Sequence, residues 1–348
     1  MELSDRESLA VSLLQRGLPL VERPFDGVGK SCGMTGREVV ALVARLLANG
    51  DARRLGGVFD ARRIGFCSAL CRMTLPEAAM AKVAEKVCAV SGVTHAYERG
   101  WPKELPATLP GGPNGAEVPN FWFTLAAPAD EFASSLSNLR RDCAPYEIVS
   151  LPASRRFKID VVFNLATRNR DERVEPQPGV PIDRRDIEPP VRLSESEREV
   201  MRIFQDGLDP EEEFFATPAQ RLGMSAGDLL ALLRGWQNCG VMRRLGLLLN
   251  HRKVGILANG MCCWRLPPGG DGVECGRRLA ACPEVTHCYE RPAREDFPYA
   301  IYAMVHTPTW EDTHQLYLRL SELAGLDAGT GCLLFSLREF KKTSMRFF

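Results

Sequence analysis

The sequence predicts an α+β chain built as a tandem repeat, each copy a winged helix-turn-helix followed by a ferredoxin-like β-α-β-β-α-β unit. Three observations carry this. First, strings recur at a near-constant offset. Arg53-Arg54-Leu55-Gly56 returns as Arg243-Arg244-Leu245-Gly246 and Arg62-Arg63-Ile64-Gly65 as Arg252-Lys253-Val254-Gly255, both 190 residues on. Val93-Thr94-His95-Ala96-Tyr97-Glu98-Arg99 returns as Val285-Thr286-His287-Cys288-Tyr289-Glu290-Arg291 after 192, and Phe157-Lys158 as Phe340-Lys341 after 183. Such self-similarity marks a repeated module, and loop insertions explain the drift. Second, each copy opens with helix-capping signals. Third, each continues as strands alternating with helices.

Taken in order, copy one places the winged helix-turn-helix over 1–60 and the ferredoxin-like unit over 61–166. Thr35-Gly36-Arg37-Glu38 is a capping box ahead of the apolar stripe Val39, Val40, Leu42, Val43, Leu46 and Leu47. The turn Asn49-Gly50-Asp51 leads to a short hairpin holding the Arg-Arg-Leu-Gly element. The strand pattern Cys67–Leu75, helix pattern Glu77–Val90 and strand pattern Val93–Arg99 follow. Phe121–Ala126 then reads as a strand, Asp130–Arg140 as a helix and Glu147–Phe163 as a long, bent final strand. Residues 167–191, with five prolines among alternating charges, form the linker. Copy two repeats the plan over 192–250 and 251–348, with capping signals at Ser194-Glu195-Ser196-Glu197 and Ser225-Ala226-Gly227-Asp228. Its strands run from Gly260–Leu266 to Phe335–Phe347. Edge strands of such sheets commonly pair, so the copies are expected to associate like a dimer.

Composition narrows the function. The 348 residues carry 44 Lys+Arg against 44 Asp+Glu, a formal net charge of zero, which is poor equipment for coating a nucleic-acid polyanion. The two candidate recognition helices offer only Arg37 and Arg45, and Arg234 opposed by Asp228, so no DNA partner is expected. No apolar run approaches a membrane span, and the start Met1-Glu2-Leu3-Ser4-Asp5-Arg6 is not a secretory signal; a cytoplasmic protein is expected. Twelve cysteines contain no C-x-x-C and read as small buried hydrophobes. Gly27-Val28-Gly29-Lys30-Ser31 imitates the end of a phosphate loop, but Pro24 stands where glycine is needed and no strand leads in.

Two signals remain. Arginines flank every repeated motif, and guanidinium forks hold carboxylates in bidentate fashion. Arg155-Arg156 and Lys341-Lys342 are neighbours on strands, so one of each pair can face a pocket. Histidine is scarce, yet His95 and His287 occupy the same repeat position, each followed by Tyr at i+2 and Arg at i+4. On a strand these three share one face and can donate a proton and hold an anion together. His251 and His306 occur only in copy two, and His314 reads as a surface residue of the last helix.

The overall layout resembles the Lrp/AsnC regulators. Arg53–Asp60, Asn250–Gly255, Ala258-Asn259-Gly260-Met261, Thr286–Pro292, Phe297-Pro298-Tyr299 and Met304-Val305-His306 together resemble the siroheme decarboxylase family, over nearly the whole chain outside the linker. In that family two related subunits pair, and here copy one is similar to the first and copy two to the second, fused. The resemblance implies loss of two pyrrole acetate carboxyls from siroheme to give 12,18-didecarboxysiroheme and carbon dioxide, on the route to haem or haem d1. It also implies that regulator ancestry survives as fold.

The resemblance and the residues together place the working site mainly in copy two. His287, Tyr289 and His95 are the catalytic candidates, with His287 or Tyr289 as proton source. Arg244, His251, Arg252, Lys253, Arg291, His306 and Trp264, with Arg54, Arg63, Tyr97 and Arg99 of copy one, are the substrate-binding candidates. Met261 and Met304 join Trp264 as apolar walls. No cofactor is expected beyond the iron in the substrate, for which His251, His287 or His306 could be an axial ligand. Copy one departs from the family pattern at Ala96 and in the Pro/Gly-rich insertion 100–118. A homodimer, or a complex with related decarboxylase subunits, is expected. The alternatives are a haem-responsive DNA-binding regulator and a non-catalytic partner subunit.

Overall fold

Copy one runs α1 (Asp5–Arg16), α2 (Pro24–Cys32), α3 (Gly36–Ala48) and β1 (Ala52–Phe59), then β2 (Phe66–Met73), α4 (Glu77–Ala89), β3 (Val93–Gly100), β4 (Phe121–Pro128), α5 (Phe132–Cys143), β5 (Val149–Leu151) and β6 (Arg155–Ile159). Copy two runs α6 (Glu195–Asp206), α7 (Ala216–Arg221), α8 (Ala226–Asn238) and β7 (Met242–Leu249), then β8 (Ala258–Trp264), α9 (Gly272–Ala281), β9 (Val285–Glu290), β10 (Ile301–Thr307), α10 (Trp310–Ala324) and β11 (Cys332–Lys342). This computed structural model describes residues 3–113, 118–159, 189–250, 253, 255 and 257–348. Most of the expected linker, and the candidates His251 and Arg252, lie outside the described residues.

The helices start where capping chemistry puts them. Ser4 with Glu7, Thr35 with Glu38 and Ser194 with Glu197 form reciprocal boxes at α1, α3 and α6. Two expectations fail here. Gly27–Ser31 is no loop: it lies inside α2, where the Ser31 hydroxyl donates back to the Gly27 carbonyl. Nor does either copy form its own hairpin. Asp60 caps a 3-10 turn at Ala61–Ile64 that leads straight into β2, leaving β1 to pair antiparallel with β7 of the other copy, Gly56 opposite Gly246.

That inter-copy ribbon is stitched crosswise. The Leu18 amide donates to the Leu245 carbonyl and, 190 residues on, Leu208 donates to Leu55. Each helical unit thus rides on the other copy's strand, and both share one core containing Leu14, Leu46, Phe204 and Trp236. Glycine is needed at the crossing: a Cβ on Gly56 would meet the Phe204 carbonyl at 2.6 Å, and one on Gly246 the Leu14 carbonyl at 2.7 Å.

The remaining strands make one nine-stranded sheet in the order β5-β2-β4-β3-β11-β8-β10-β9-β6. Its two ends, β5 and β6, are successive parts of one bent strand, so the sheet closes on itself. Each copy's final strand is exchanged: β11 pairs first with β8 and then with β3, and β6 pairs with β9. Helices α4 and α5 cover copy one through Met73, Val83 and Phe121; α9 and α10 cover copy two through Cys262, Leu279 and Tyr317. Inside the closed sheet, Trp122, Met261, Cys263, Phe297 and Leu334 fill one end. Each fully buried large apolar side chain contributes about 1.5–3 kcal/mol.

The copy-one insertion is a strap over copy two. Trp101, Leu105 and Leu109 pack on the α10 core, and the Leu333 amide donates to the Gly111 carbonyl. His314, expected at the surface, is 3% exposed beneath this strap, its Nε2 3.1 Å from the Pro110 carbonyl. All twelve cysteines are free and eight are buried; burial pushes the Cys71 thiol up to about 12. Among the described residues, no helix is long and apolar enough to cross a membrane.

Candidate functional site

Strands β3 and β9 stand opposite one another in the closed sheet, four places apart in either direction. Their inward positions are His95, Tyr97 and Arg99 on one wall and His287, Tyr289 and Arg291 on the other. Neighbouring strands confirm the facing. In register, Thr124 lies beside His95 and Trp122 beside Tyr97, Met304 beside His287 and Tyr302 beside Tyr289. The two walls share one interior, because a charge on His287 or on Lys342 further depresses His95, and Lys342 also acts on His287. His95, His287, Tyr289, Met304 and His306 are only partly shielded although the sheet encloses them, so open space adjoins them.

The two arginines of the triplets lock the walls. Arg291 reaches across to the Leu151 carbonyl, and Arg99 to that of Leu334, 183 residues on from Leu151. Arg291 also lies 4.9 Å over the Tyr289 ring and Arg99 5.2 Å over Tyr97. Both are buried, so they hold the barrel together and orient the phenols.

Each histidine is fixed by the threonine before it. Thr94 Oγ1 lies 2.9 Å from His95 Nδ1, and Thr286 Oγ1 3.1 Å from His287 Nδ1. Both threonines are the extra residue of a β-bulge, which turns a hydroxyl that simple alternation would point elsewhere onto the ring. In copy two the network settles the protons. Asn259 Oδ1 accepts from Arg99 and Ser336, so its Nδ2 donates to His306 Nε2 at 3.0 Å. His306 therefore carries its proton on Nδ1, 3.3 Å from Thr286 Oγ1, while the Thr286 hydroxyl donates to the Met304 carbonyl. Thr286 can then only accept from His287 Nδ1–H. The lone pair on His287 Nε2 faces the interior.

Burial first, then Arg243, Lys342 and Lys158, pull His287 down to about 4. Burial, Lys342 and His287 itself pull His95 down to about 3. Both rings are neutral at neutral pH in the free protein, which revises the expectation of an imidazole poised near its ordinary value. Burial raises Tyr289, so its phenol keeps its proton.

The cations that act here are not all those the sequence singles out. Arg53 and Arg243, rather than Arg54 and Arg244, act on the histidines. Each is the extra residue of a bulge in the β1–β7 ribbon, which re-aims it. Arg243 and Arg156 grip the buried Asp60 at 2.7 and 2.9 Å, and their charges hold that carboxyl at about 2 although burial alone would raise it. Arg156, Arg62 and Arg243 all bear on Tyr289. Of the neighbouring pairs, Arg156 and Lys342 face inward, opposite Tyr289 and His95. Arg155 pairs with Glu290, and Lys341 caps the end of α4 through the Cys88 carbonyl.

Other candidates are placed elsewhere. Trp264 is turned to the helix side, stacked on Tyr317, with its Nε1 donating to Ser321. Arg63 donates to the Cys239 and Pro189 carbonyls and Lys253 to that of Asn49. Arg54 donates to the Gly57 carbonyl, and burial pulls it down to about 10. Arg244 is half-buried in the ribbon. Met261 and Met304 do face inward. A groove of about 680 Å³ beside this end of the barrel includes Arg53, Arg54, Lys341 and Lys342. The recognition-helix cations are engaged: Arg37 with Glu212, Arg45 with Glu7, and Arg234 with the Leu20 carbonyl.

Comparison with known proteins gives a consistent picture. A model described as an AsnC-like ligand binding domain matches residues 63–158 and 253–341, and one for the siroheme decarboxylase NirDL-like HTH domain matches 9–53. A siroheme decarboxylase of Hydrogenobacter thermophilus is 31% identical over 343 residues, covering 97% of this chain and 93% of its own. The siroheme decarboxylase beta subunit of Methanosarcina barkeri is 39% identical over 155 residues, 44% of this chain and 99% of that subunit. The crystal structure of the siroheme decarboxylase NirDL superposes with a TM-score of 0.70 at 26% identity, covering 99% of this chain and 94% of that one. The same decarboxylase in complex with an iron-uroporphyrin III analogue gives 0.69.

Proposed function

The chain belongs to the siroheme decarboxylase family, and from that premise we propose that the chamber between the two His-x-Tyr-x-Arg walls is where it removes two pyrrole acetate carboxyls from siroheme. The products are 12,18-didecarboxysiroheme and carbon dioxide, in haem or haem d1 biosynthesis, and the reaction is that of a carboxy-lyase. The observation that carries the reading is the facing pair of walls ringed by Arg53, Arg62, Arg156, Arg243 and Lys342. Siroheme is a flat apolar disc rimmed by carboxylates, and this enclosure offers cations at the rim and Met261 and Met304 at the face.

Each step balances without a further reagent. The bond between the acetate methylene and its carboxylate carbon breaks, carbon dioxide leaves, and the electron pair is delocalised into the macrocycle. A proton then converts the methylene to methyl. Tyr289 holds that proton in the free protein. Carboxylates of the bound substrate would pair with Arg243 and Lys342 and relieve part of what depresses His287, letting the ring shuttle protons from solvent. His287 Nε2 is also the ring nitrogen offered to the substrate iron, whereas both nitrogens of His306 are engaged. The reading needs no cofactor beyond that iron.

The same proposal places the protein in the cytoplasm and lets one chain suffice, whether alone, as a homodimer or beside related subunits. Anaerobic incubation of purified chain with siroheme should give two successive losses of carbon dioxide by mass spectrometry. Intact siroheme, even with a competent partner subunit present, would end the reading.

A further inference from the structure

The two walls are copies, yet their charges do not match. Arg156 stands opposite Tyr289 in register; the residue that repeats it, 183 positions on, is Glu339, opposite Tyr97. Ile159, opposite His287, is answered by Lys342, opposite His95. Asp60, which anchors Arg156 and Arg243, is answered 190 positions on by Asn250. Positive charge therefore meets the phenol on the copy-two wall but the imidazole on the copy-one wall, where a carboxylate stands beside the phenol instead.

This matters for a substrate with carboxylates all round its rim. In a chamber with true twofold symmetry such a disc has two equivalent poses, and each would bring a different acetate to His287. A rim carboxylate beside Arg156 is attracted, and the same carboxylate beside Glu339 is repelled. Accepting the siroheme reading of this chamber, on which the inference rests, we infer that Glu339 is a specificity-determining residue: it rejects one pose and so decides which of the two acetates, at position 12 or 18, is lost first. Arg156, held by Asp60, is its attractive counterpart.

The test stops anaerobic turnover of siroheme by the full chain within the first turnover and separates the singly decarboxylated products by position. The native chain should give one positional isomer in at least tenfold excess. Glu339→Arg should bring the two isomers to within about twofold of each other, and the milder Glu339→Gln should narrow the excess. The charge-exchanged chain, Arg156→Glu with Glu339→Arg, should favour the other isomer. Far-ultraviolet circular dichroism and the absorption spectrum of bound siroheme check that each variant is folded and loaded. If Glu339→Arg and Glu339→Gln are loaded and keep the native isomer ratio, or if the native chain makes both isomers equally, the inference is wrong while the decarboxylase reading stands. A native chain that leaves siroheme untouched ends both.

Discussion

His287 is a neutral ring with its Nδ1 proton committed to Thr286 and its Nε2 turned to the interior. His95 has the same threonine partner but lacks the relay behind it, since Ala126 stands where copy two has His306. Changing His287→Ala should therefore leave the chain folded and able to bind tetrapyrrole while turnover falls ~10²–10⁴-fold, the usual worth of a positioned proton-transfer group. His95→Ala should cost distinctly less; equal losses in single-turnover rates would contradict the weight given to copy two. The same two rings predict how stability follows pH. Their folded values, about 4 and about 3, lie below the unfolded value near 6.5. As pH falls through that window the unfolded chain binds protons that the native chain refuses, so stability is full above roughly pH 6.5 and declines toward pH 4. Asp60, held at about 2, resists acid until lower pH. Urea midpoints at pH 7, 6 and 5 should fall in that order, and the His95→Ala, His287→Ala double variant should fall less.

At the level of elements, the strands and helices were legible because their signals are local: a capping box is three residues long, and a strand face is every second residue. His95 and His287 were visible for the same reason. The β-bulges were not. Arg53, Arg243, Thr94 and Thr286 each sit one residue out of step, and nothing in the local pattern says which neighbour of a pair the register will skip. Alternation therefore pointed to Arg54 and Arg244, one position away. The expected hairpins failed for a related reason, since a strand's partner is chosen by tertiary packing and β1 finds β7. The packing of that ribbon is testable at its two glycines. Gly56→Ala and Gly246→Ala each drive a Cβ into a helix-end carbonyl, and each should destabilise by about 1–3 kcal/mol. Calorimetric melting should show similar losses at both sites, because the contact is one contact made twice.

For the whole molecule, the repeat was plain in the sequence, but the exchange of strands between copies was not. Copy one's β6 belongs to copy two's sheet, β11 bridges both, and each helical unit sits on the other's ribbon strand. Residues 1–166 and 189–348 made as two chains in one cell should accordingly copurify one to one and retain siroheme turnover. Either half alone would bare the inner face of a barrel and should aggregate or self-pair. Recovery of both halves as separate, stable monomers would contradict the interlock.

The closed sheet also bears on how the protein is made. The wall around His95 is completed by Lys342, six residues from the C-terminus, and no earlier strand can take the place of β11 beside β3. A nascent chain thus cannot finish its first half while the second is still on the ribosome; the strands of copy one must wait, their inner edges uncovered, for nearly the last residues synthesised. Such distant pairing makes for slow folding and a long exposure to mispairing, so active protein should trail the appearance of full-length chain in a pulse-labelled translation reaction.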